Sequence, residues 1–247
     1  MKTLVFLITA KTNLHVGNES GGEFSIIDKS VQRDPLTNLP CINSSSLKGS
    51  IKEFCVHKNE EHKKKNKKTI PVKKLFGSDV DPKTGKALSD NQKGSAVFFD
   101  AKLLYLPQQD DNTLYHFETT KGIVEMMKKR VQLFNKDFEY VVENNIGGKP
   151  VVVLSDTEQE TADKQFEVKC SNDNLPIIAR NVLENGESKN LWYEQVLPAE
   201  TVFYTIIQEK EGDDLRETLN GQIVQIGANA TIGYGYCEFK CIFSKEG

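Results

Sequence analysis

A single carboxylate near the start of the chain is set among residues that could support chemistry. Asp28 follows an apolar pair and lies between a glycine-rich turn and a run of serines. A carboxylate in such a loop can accept a proton from a hydroxyl group. It can also be an ordinary turn or cap residue, and the residues alone favour that plainer interpretation. Asp28 is therefore a candidate catalytic residue whose role depends on what surrounds it.

The serine run predicts the start of a helix that could bind phosphate. Residues 43–49 read Asn-Ser-Ser-Ser-Leu-Lys-Gly, and the apolar residues that follow have helical spacing, which predicts a helix over residues 45–56. The N-terminus of a helix offers free backbone N–H groups and a partial positive charge, both of which favour anions. Serines alone would indicate only an N-cap. The candidate phosphate contacts are Ser45, Ser46, Lys48 and Lys52, the last lying one helical turn beyond Lys48.

Composition gives no global sign of a polyanionic partner. The 247 residues include 32 Lys and Arg against 35 Asp and Glu, for a formal net charge of −3. Local charge is uneven, since residues 58–74 carry eight lysines against two glutamates, whereas residues 137–173 carry nine acids against three lysines. A polyanion would therefore meet attraction at one region and repulsion at another.

The cysteines and the hydropathy pattern indicate a cytoplasmic protein. Five cysteines are scattered without a CxxC pair, which favours reduced thiols over a disulfide framework. The apolar N-terminal run is short, no secretory cleavage context follows it, and no stretch is long enough to span a bilayer. We therefore expect no membrane association.

Length and periodicity predict a single α+β domain over residues 1–247. A solvated loop is favoured over a mobile phosphate-binding arm for the lysine-rich residues 57–68. A second helix is predicted over residues 119–134, and Leu215, Leu219 and Ile223 mark a third that ends near Gly227. Strands are predicted at residues 3–12, 94–106 with Pro107 closing the strand, 151–154, 201–209 and 234–244.

Three blocks of sequence resemble one known family. The order of apolar strand, glycine turn, Asp28, Gln-Arg-Asp and Ser-Ser-Leu-Lys-Gly resembles the N-terminal region of the RAMP superfamily, the RNA-binding backbone proteins of CRISPR effector complexes. Residues 191–194 (LWYE) and 197–204 (LPAETVFY) resemble a run in the backbone subunit of type III-B (Cmr) complexes. Residues 225–236 resemble the glycine-rich loop of that subunit, with Ala228 where a second glycine is common.

The resemblance implies a fold more specific than the periodicity alone. It implies a ferredoxin-like (RRM-like) core in the order strand, helix, strand, strand, helix, strand. It further implies a lid-like loop and two insertions into this core, a lysine-rich and turn-rich one at residues 58–94 and a second at residues 108–195. The second insertion would include a β-hairpin thumb that wedges into the guide RNA, which we place within residues 156–189.

The resemblance also implies roles for particular residues. Asp28 occupies the position of the family's target-cleaving aspartate, where it would either hold a divalent metal ion, for which we expect Mg²⁺, or accept the proton of a ribose 2′-OH. Glu194 is predicted as an accessory to cleavage. The predicted RNA contacts are His15, Arg33, Ser45, Ser46, Lys48, Lys52, Gly227, Gly233 and Gly235. For His15 a structural role is about as compatible with the sequence as an RNA contact. Arg33 could equally pair with an acidic neighbour such as Asp34. Trp192 could form a stacking platform for RNA bases or could belong to the core.

The function implied is that of an RNA-guided endoribonuclease subunit. Several copies would line a crRNA, associate with other Cmr-type subunits, and cut complementary target RNA at regular intervals. Four alternatives remain open: a non-catalytic crRNA-binding scaffold, the type III-A counterpart, a guide-maturation nuclease, and an unrelated α+β protein.

Overall fold

Twelve strands and four α-helices are present in the parts of the chain that the computed structural model describes, residues 1–17, 27–78, 92–154 and 175–246. The helices are α1 (Ser44–Lys64), α2 (Val72–Phe76), α3 (Lys121–Gln132) and α4 (Leu215–Leu219). The strands are β1 (Lys2–Ala10), β2 (Cys41–Ile42), β3 (Val97–Phe98), β4 (Ala101–Asp110), β5 (Leu114–Thr120), β6 (Asn145–Ile146), β7 (Lys149–Leu154), β8 (Ile177–Glu184), β9 (Glu187–Gln195), β10 (Val202–Glu209), β11 (Gln222–Gln225) and β12 (Tyr236–Glu246). This mixed order confirms the predicted α+β class.

The first strand lies at the centre of a large curled sheet. The described sheet has the order β11-β12-β1-β10-β4-β5-β7-β6, with β2 paired to β4 and β3 paired to β10. β1 runs antiparallel to β10 and to β12, so that Phe6 faces Thr205 on one side and Cys241 on the other. Consecutive residues Leu4 and Val5 are both fully buried. Burial on both faces explains why β1 is a continuous apolar run and not an alternating pattern.

α1 is longer than predicted because the lysine-rich segment continues it. The prediction ended the helix at residue 56 and treated residues 57–68 as a loop, and that was wrong as far as Lys64. Lys58 anchors the extension, since its Nζ donates to the carbonyl of Thr218 at 3.2 Å and to Oε1 of Gln222 at 3.1 Å. Lysine and glutamate are also good helix formers. Repulsion between the lysines therefore does not prevent the helix from forming, because the Lys58 side chain is fixed and the other lysine side chains point to solvent.

The third predicted helix, by contrast, is short. α4 ends at Leu219, and Ile223 lies in β11, where it pairs with Glu238 of β12. Gly221 stands between them with φ +71°, a left-handed conformation that ends the helix and turns the chain into the strand. The spacing of four that linked Leu219 to Ile223 was therefore not a helical repeat.

Pro107 does not close its strand. β4 continues to Asp110, and Pro107 is in register with Phe117 of β5. At this point β4 has β5 as its only partner among the described strands, and such edge positions tolerate a residue without an N–H group. The strand predicted to end at residue 106 thus runs on into a hairpin.

The helix predicted over residues 119–134 is confirmed as α3. Its N-cap is Thr120, whose Oγ1 accepts a hydrogen bond from the N–H of Ile123 at 3.1 Å. α3 connects β5 to β7, which pair in parallel, and its buried side chains include Ile123 and Met127. The methionine is part of the core, as expected for a flexible apolar side chain.

A separate hairpin stands apart from the main sheet. β8 and β9 pair only with each other in the strand ladders of the described residues, and Gly186 occupies the turn with φ +84°. The segment predicted to contain a thumb, residues 156–189, overlaps this hairpin, but residues 155–174 lie outside the described ranges, as does Cys170. The other four cysteines are free thiols, and burial raises the pKa of Cys237 to about 12. In the described ranges no helix is both long enough and apolar enough to cross a membrane.

Candidate functional site

The candidate catalytic carboxylate is held on the edge of β9. Asp28 is exposed, its N–H donates to the carbonyl of Tyr193 at 3.0 Å, and its Oδ2 accepts the N–H of Tyr193 at 2.7 Å. The next residue, Lys29, forms a parallel bridge with Glu194. The chain near residue 28 and the LWYE block, which are far apart in sequence, therefore form one small unit with a carboxylate at its surface.

The residue after the LWYE block holds the same segment from its other end. The N–H of Gln195 donates to the carbonyl of Lys29 at 2.9 Å. Its side-chain Oε1 accepts from the N–H of Val31 at 3.4 Å and from an NH2 group of Arg33 at 3.2 Å. Gln195 is 5% exposed, so these contacts form in a region from which water is largely excluded. Such buried polar contacts fix geometry because breaking them leaves unpaired groups.

Glu194 is a buried carboxylate that links three parts of the chain. Oε1 accepts from Nδ2 of Asn229 at 2.8 Å and lies 3.4 Å from Nε2 of His15, while Oε2 accepts from Nε of Arg180 at 3.0 Å. The side chain is only 2% exposed. These contacts join the segment that follows β1, the β8–β9 hairpin and the glycine-rich loop. Glu194 thus organises the site from within and does not form part of its surface.

His15 belongs to this buried unit. It is 3% exposed, and its Nδ1 lies 2.7 Å from the carbonyl of Gln195. Because a carbonyl can only accept, Nδ1 carries a proton and donates it. Both ring nitrogens face protein groups, which accounts for the histidine structurally. The predicted RNA contact of His15 stays a prediction.

Two of the three predicted glycines are required by protein packing. A Cβ at Gly227 would lie 2.3 Å from the backbone oxygen of His15, and one at Gly235 would lie 2.0 Å from that of Ile226. The N–H of Ala228 donates to the same carbonyl of His15 at 2.9 Å, which binds the loop to the segment that follows β1. Gly233 differs, since a Cβ there would meet open space. Gly233 is therefore the glycine whose surroundings leave most room for a phosphate to approach.

The N-terminus of α1 lies next to the same segment but carries an acidic neighbour. The N–H of Ser44 donates to Oδ1 of Asp100 at 2.8 Å. Although burial acts to raise the pKa of Asp100, the hydrogen bond from Ser44 and the nearby Lys102 lower it, so this carboxylate stays charged. A phosphate at this helix end would meet N–H groups and a negative charge together. Ser45 is exposed and Ser46 is partly buried, with Oγ of Ser46 accepting from Nε2 of Gln32 at 3.4 Å.

The two lysines predicted to extend this phosphate surface lie one turn apart on α1. Lys48 and Lys52 are both partly exposed. The predicted contacts Ser45, Ser46, Lys48 and Lys52 are therefore on one helix, connected to the Asp28 segment through Gln32. Their binding to RNA stays a prediction.

Arg33 and Asp34 have separate partners. Arg33 donates to the carbonyl of Asn38 at 3.2 Å as well as to Gln195, while Asp34 pairs with Nζ of Lys102. Burial acts to raise the pKa of Asp34. The hydrogen bond and charge of Lys102, together with hydrogen bonds from the N–H groups of Thr37 and Leu36, outweigh it and lower that pKa to about 2. Asp34 therefore ties the loop after Arg33 to β4.

Sequence reasoning missed three members of this unit: Arg180, Gln195 and Asn229. Arg180 lies in β8, and its guanidinium carbon is 4.7 Å from the ring centroid of Tyr234 in the glycine-rich loop. Asn229 has φ +67°, a conformation that asparagine tolerates better than most residues. The sequence offered a weak signal for Asn229 in its loop position. It offered none for Arg180 and Gln195, whose partners are distant in the chain.

The described residues supply one carboxylate, not a cluster, for a metal ion at this site. No group of three or more His, Cys, Asp and Glu side chains in the described ranges is arranged to hold a cation. Where this segment meets the C-terminal end of β9, Asp28 is exposed and Glu194 is buried. A single carboxylate suits only an ion such as Mg²⁺, which keeps several water ligands and can take its other ligands from a phosphate.

Comparison with known proteins places these features in one family. The model of the RAMP superfamily matches residues 7–238 of the chain. The CRISPR system Cmr endoribonuclease Cmr4 of Pyrococcus furiosus is 26% identical over 96% of this chain and 94% of its own length. The CRISPR system Cms endoribonuclease Csm3 of Streptococcus thermophilus is 25% identical over 79% of this chain and 88% of its own.

The fold is also similar to that of solved proteins. A chain in the cryo-EM structure of a type III-B Cmr-beta complex bound to cognate target RNA superposes with a TM-score of 0.72 at 21% identity. The superposition covers 97% of this chain and 96% of that one. At this identity the likeness concerns the fold.

Proposed function

This chain belongs to the RAMP superfamily, and from that premise we propose that it is the backbone subunit of a type III-B CRISPR effector complex. In this role several copies bind a crRNA and cut complementary target RNA at regular intervals, together with other Cmr-type subunits. The observation that carries the proposal is the exposed Asp28 carboxylate, fixed on β9 by the N–H of Tyr193. It stands where three sequence blocks of the family meet in space.

The chemistry requires little from the protein beyond one oriented carboxylate. The ribose 2′-OH of RNA lies beside the phosphate that it can attack, so no protein nucleophile is needed. Asp28 accepts the 2′-OH proton as the 2′-oxygen forms a bond to phosphorus and the bond to the 5′-oxygen breaks. The products are a 2′,3′-cyclic phosphate and a 5′-oxygen that takes up a proton. The Oδ2 atom is oriented by Tyr193, which leaves Oδ1 outside the hydrogen bonds of the described residues.

Asp28 is the carboxylate that RNA can reach, and Glu194 is not. Asp28 is exposed, whereas the side chain of Glu194 is 2% exposed and surrounded by His15, Arg180 and Asn229. We therefore assign the proton transfer to Asp28 and a supporting structural role to Glu194. Asp28 is the residue that would hold Mg²⁺, and the chemistry the ion would supply is neutralisation of charge on the scissile phosphate.

RNA would lie across the N-terminal end of α1 and across the glycine-rich loop. Ser45, Ser46 and Lys48 offer donors and charge to phosphates, and Gly233 leaves open space beside its backbone. Such contacts position RNA without reading its sequence, which is consistent with base pairing as the source of target choice.

We extend the proposal to the finer features of the fold. The antiparallel order β12-β1-β10-β4, with α1 after β1 and α4 after β10, supports a ferredoxin-like core. The hairpin β8–β9 is the proposed thumb, supported by exposed apolar side chains along it, including Ile177, Leu183 and Leu191. A lid-like loop belongs to the same proposal.

The type III-A counterpart is the second candidate, because this chain is also similar to the CRISPR system Cms endoribonuclease Csm3 of Streptococcus thermophilus. The Cmr4 of Pyrococcus furiosus matches a larger share of this chain, 96% against 79%, at similar identity. This difference favours type III-B. The subunits that copurify with a tagged copy distinguish the two.

The test is to purify the complex through a tag on this chain and incubate it with labelled RNA. One RNA is complementary to the copurified guide and one is scrambled, each with Mg²⁺ or with EDTA. We expect evenly spaced cuts in the complementary RNA alone, and cuts lost in EDTA if the ion is needed. Guide RNA without any cutting would contradict the nuclease assignment and leave a scaffold, whereas no guide RNA would contradict the family function altogether.

A further inference from the structure

The segment that carries Asp28 has little regular structure to hold it in place. Between residues 27 and 40 the chain makes only isolated bridges, at Lys29, Val31, Arg33 and Pro40. A loop of this kind samples several conformations unless side chains fix it. Because catalysis by one carboxylate depends on its position, the contacts that anchor this loop determine whether Asp28 points at its target.

Gln195 is the residue on which these anchors converge. Its backbone binds Lys29 and accepts from His15, and its side-chain Oε1 accepts from Val31 and from Arg33. Val31 is 1% exposed, so its N–H has no access to water as a substitute partner. The side chain of Gln195 therefore fixes the loop three to five residues beyond Asp28, while β9 fixes Asp28 itself.

We propose that Gln195 is a positioning residue for target cleavage, acting through the clamp of its side-chain amide on Val31 and Arg33. It does not touch RNA, because it is 5% exposed. Its effect is to keep the loop registered on β9, so that the Asp28 carboxylate stays at the N–H of Tyr193. The inference rests on the proposed function, in which Asp28 performs the proton transfer.

Two substitutions of Gln195 distinguish the effect of its side-chain hydrogen bonds from the effect of its side-chain volume. Gln195→Met keeps the length of the side chain and removes the Oε1 acceptor. Gln195→Glu keeps an oxygen that can accept from Val31 and gives Arg33 a charged partner. A matched control is Thr205→Val in β10, which removes the hydrogen bond that the buried Thr205 side chain donates to the carbonyl of Phe99, away from the loop.

The first readout is single-turnover cleavage by the assembled complex, measured together with guide content and target affinity. We expect Gln195→Met to slow cleavage by about 10- to 100-fold. Guide content and target affinity should stay within twofold of wild type. Gln195→Glu should restore most of the rate, and Thr205→Val should leave it unchanged. Unchanged cleavage in Gln195→Met would overturn the inference, as would a loss of rate matched by an equal loss of target binding.

The second readout does not depend on activity. Amide hydrogen exchange on the full chain should show faster exchange across residues 27–33 in Gln195→Met but not in Thr205→Val. Equal protection in both variants would overturn the clamp even if the complex cut RNA. A wild-type complex that binds target without cutting it would instead overturn the proposed function, and the exchange data would still decide the role of Gln195.

Discussion

Asp28 and Tyr193 exchange two hydrogen bonds across 165 positions of sequence. The N–H of Asp28 donates to the carbonyl of Tyr193 at 3.0 Å, and the N–H of Tyr193 donates to Oδ2 of Asp28 at 2.7 Å. An exposed carboxylate that is also hydrogen-bonded to a strand has a defined direction, which a surface aspartate generally lacks. This relationship is the structural basis for our proposal that Asp28 is a site residue and not simply a turn residue.

Removing the charge of Glu194 should destabilise the unit beneath Asp28. Glu194→Gln keeps an acceptor for Asn229 but leaves Arg180 without its carboxylate partner, at a position only 2% exposed. We expect a loss of about 1–3 kcal/mol in the free energy of unfolding, measured by urea denaturation. Glu187→Gln, at the exposed turn of the same hairpin, should change it little. Equal effects of the two substitutions would contradict the role given to Glu194.

Gly227 should not tolerate a side chain. A Cβ there would lie 2.3 Å from the backbone oxygen of His15, and the residue has φ +79°. We expect Gly227→Ala to cost roughly 2–4 kcal/mol, from steric overlap and backbone strain together. Gly233→Ala is the control, since its φ of +83° carries similar strain but its Cβ meets open space, so that about 1 kcal/mol is expected. Because both variants carry the backbone strain, the difference between their melting temperatures measures the cost of the steric overlap at Gly227.

The ion pair of Asp34 with Lys102 should contribute a specific acid sensitivity. The pKa of Asp34 is lowered from 3.8 to about 2, so its contribution to stability is complete above pH 4 and is lost as the pH falls through about 2. We expect this contribution to be roughly 1–2 kcal/mol, because the side chain is partly open to solvent.

Comparing the free energy of unfolding at pH 5 and pH 2.5 provides the measurement. Asp34→Asn should lower stability at pH 5 and reduce its dependence on pH over this interval. Asp111→Asn, an exposed aspartate in the turn between β4 and β5, should leave both unchanged. An Asp34 variant with the wild-type pH dependence would show that the ion pair does not stabilise the loop.

Lys58 should differ from the other lysines of its run. Its Nζ donates to Thr218 and Gln222, and it lies 5.1 Å from the ring centroid of Phe54. Lys58→Met should therefore lower stability by about 0.5–1.5 kcal/mol, whereas Lys64→Met, at an exposed position, should not. Thermal unfolding in moderate salt measures both. A loss of stability in the Lys64 variant alone would contradict this account of the helix extension.

Much of the fold followed from the sequence where apolar periodicity was strong. β1, α3, β10 and β12 were predicted within a few residues, and the match of the RAMP superfamily to residues 7–238 confirms the family inferred from three short blocks. The end of α1 was missed because a lysine run suggests a loop unless one lysine finds a tertiary partner. Lys58 has such a partner in Thr218, 160 positions away.

The candidate site was predictable only in part, because its tertiary contacts cannot be read from the sequence. Asp28 and the glycines belong to recognisable blocks, but the blocks do not reveal that Gly227 packs on His15 or that Glu194 is buried. Those facts depend on how β1, β9 and the glycine-rich loop meet. Gln195 could not be predicted at all, since its significance comes from contacts with Val31 and Arg33.

The central claim is that the Asp28 carboxylate performs the cleavage, and the Asp28→Asn variant tests it most directly. Asparagine keeps an oxygen to accept from Tyr193 but loses the charge and the capacity to take a proton, so the loop should stay in place. We expect the purified complex to keep its guide RNA and target affinity while single-turnover cleavage at every site falls at least about 100-fold. Asp111→Asn should cut as wild type does. Cleavage at the wild-type rate by the Asp28→Asn complex would contradict the account.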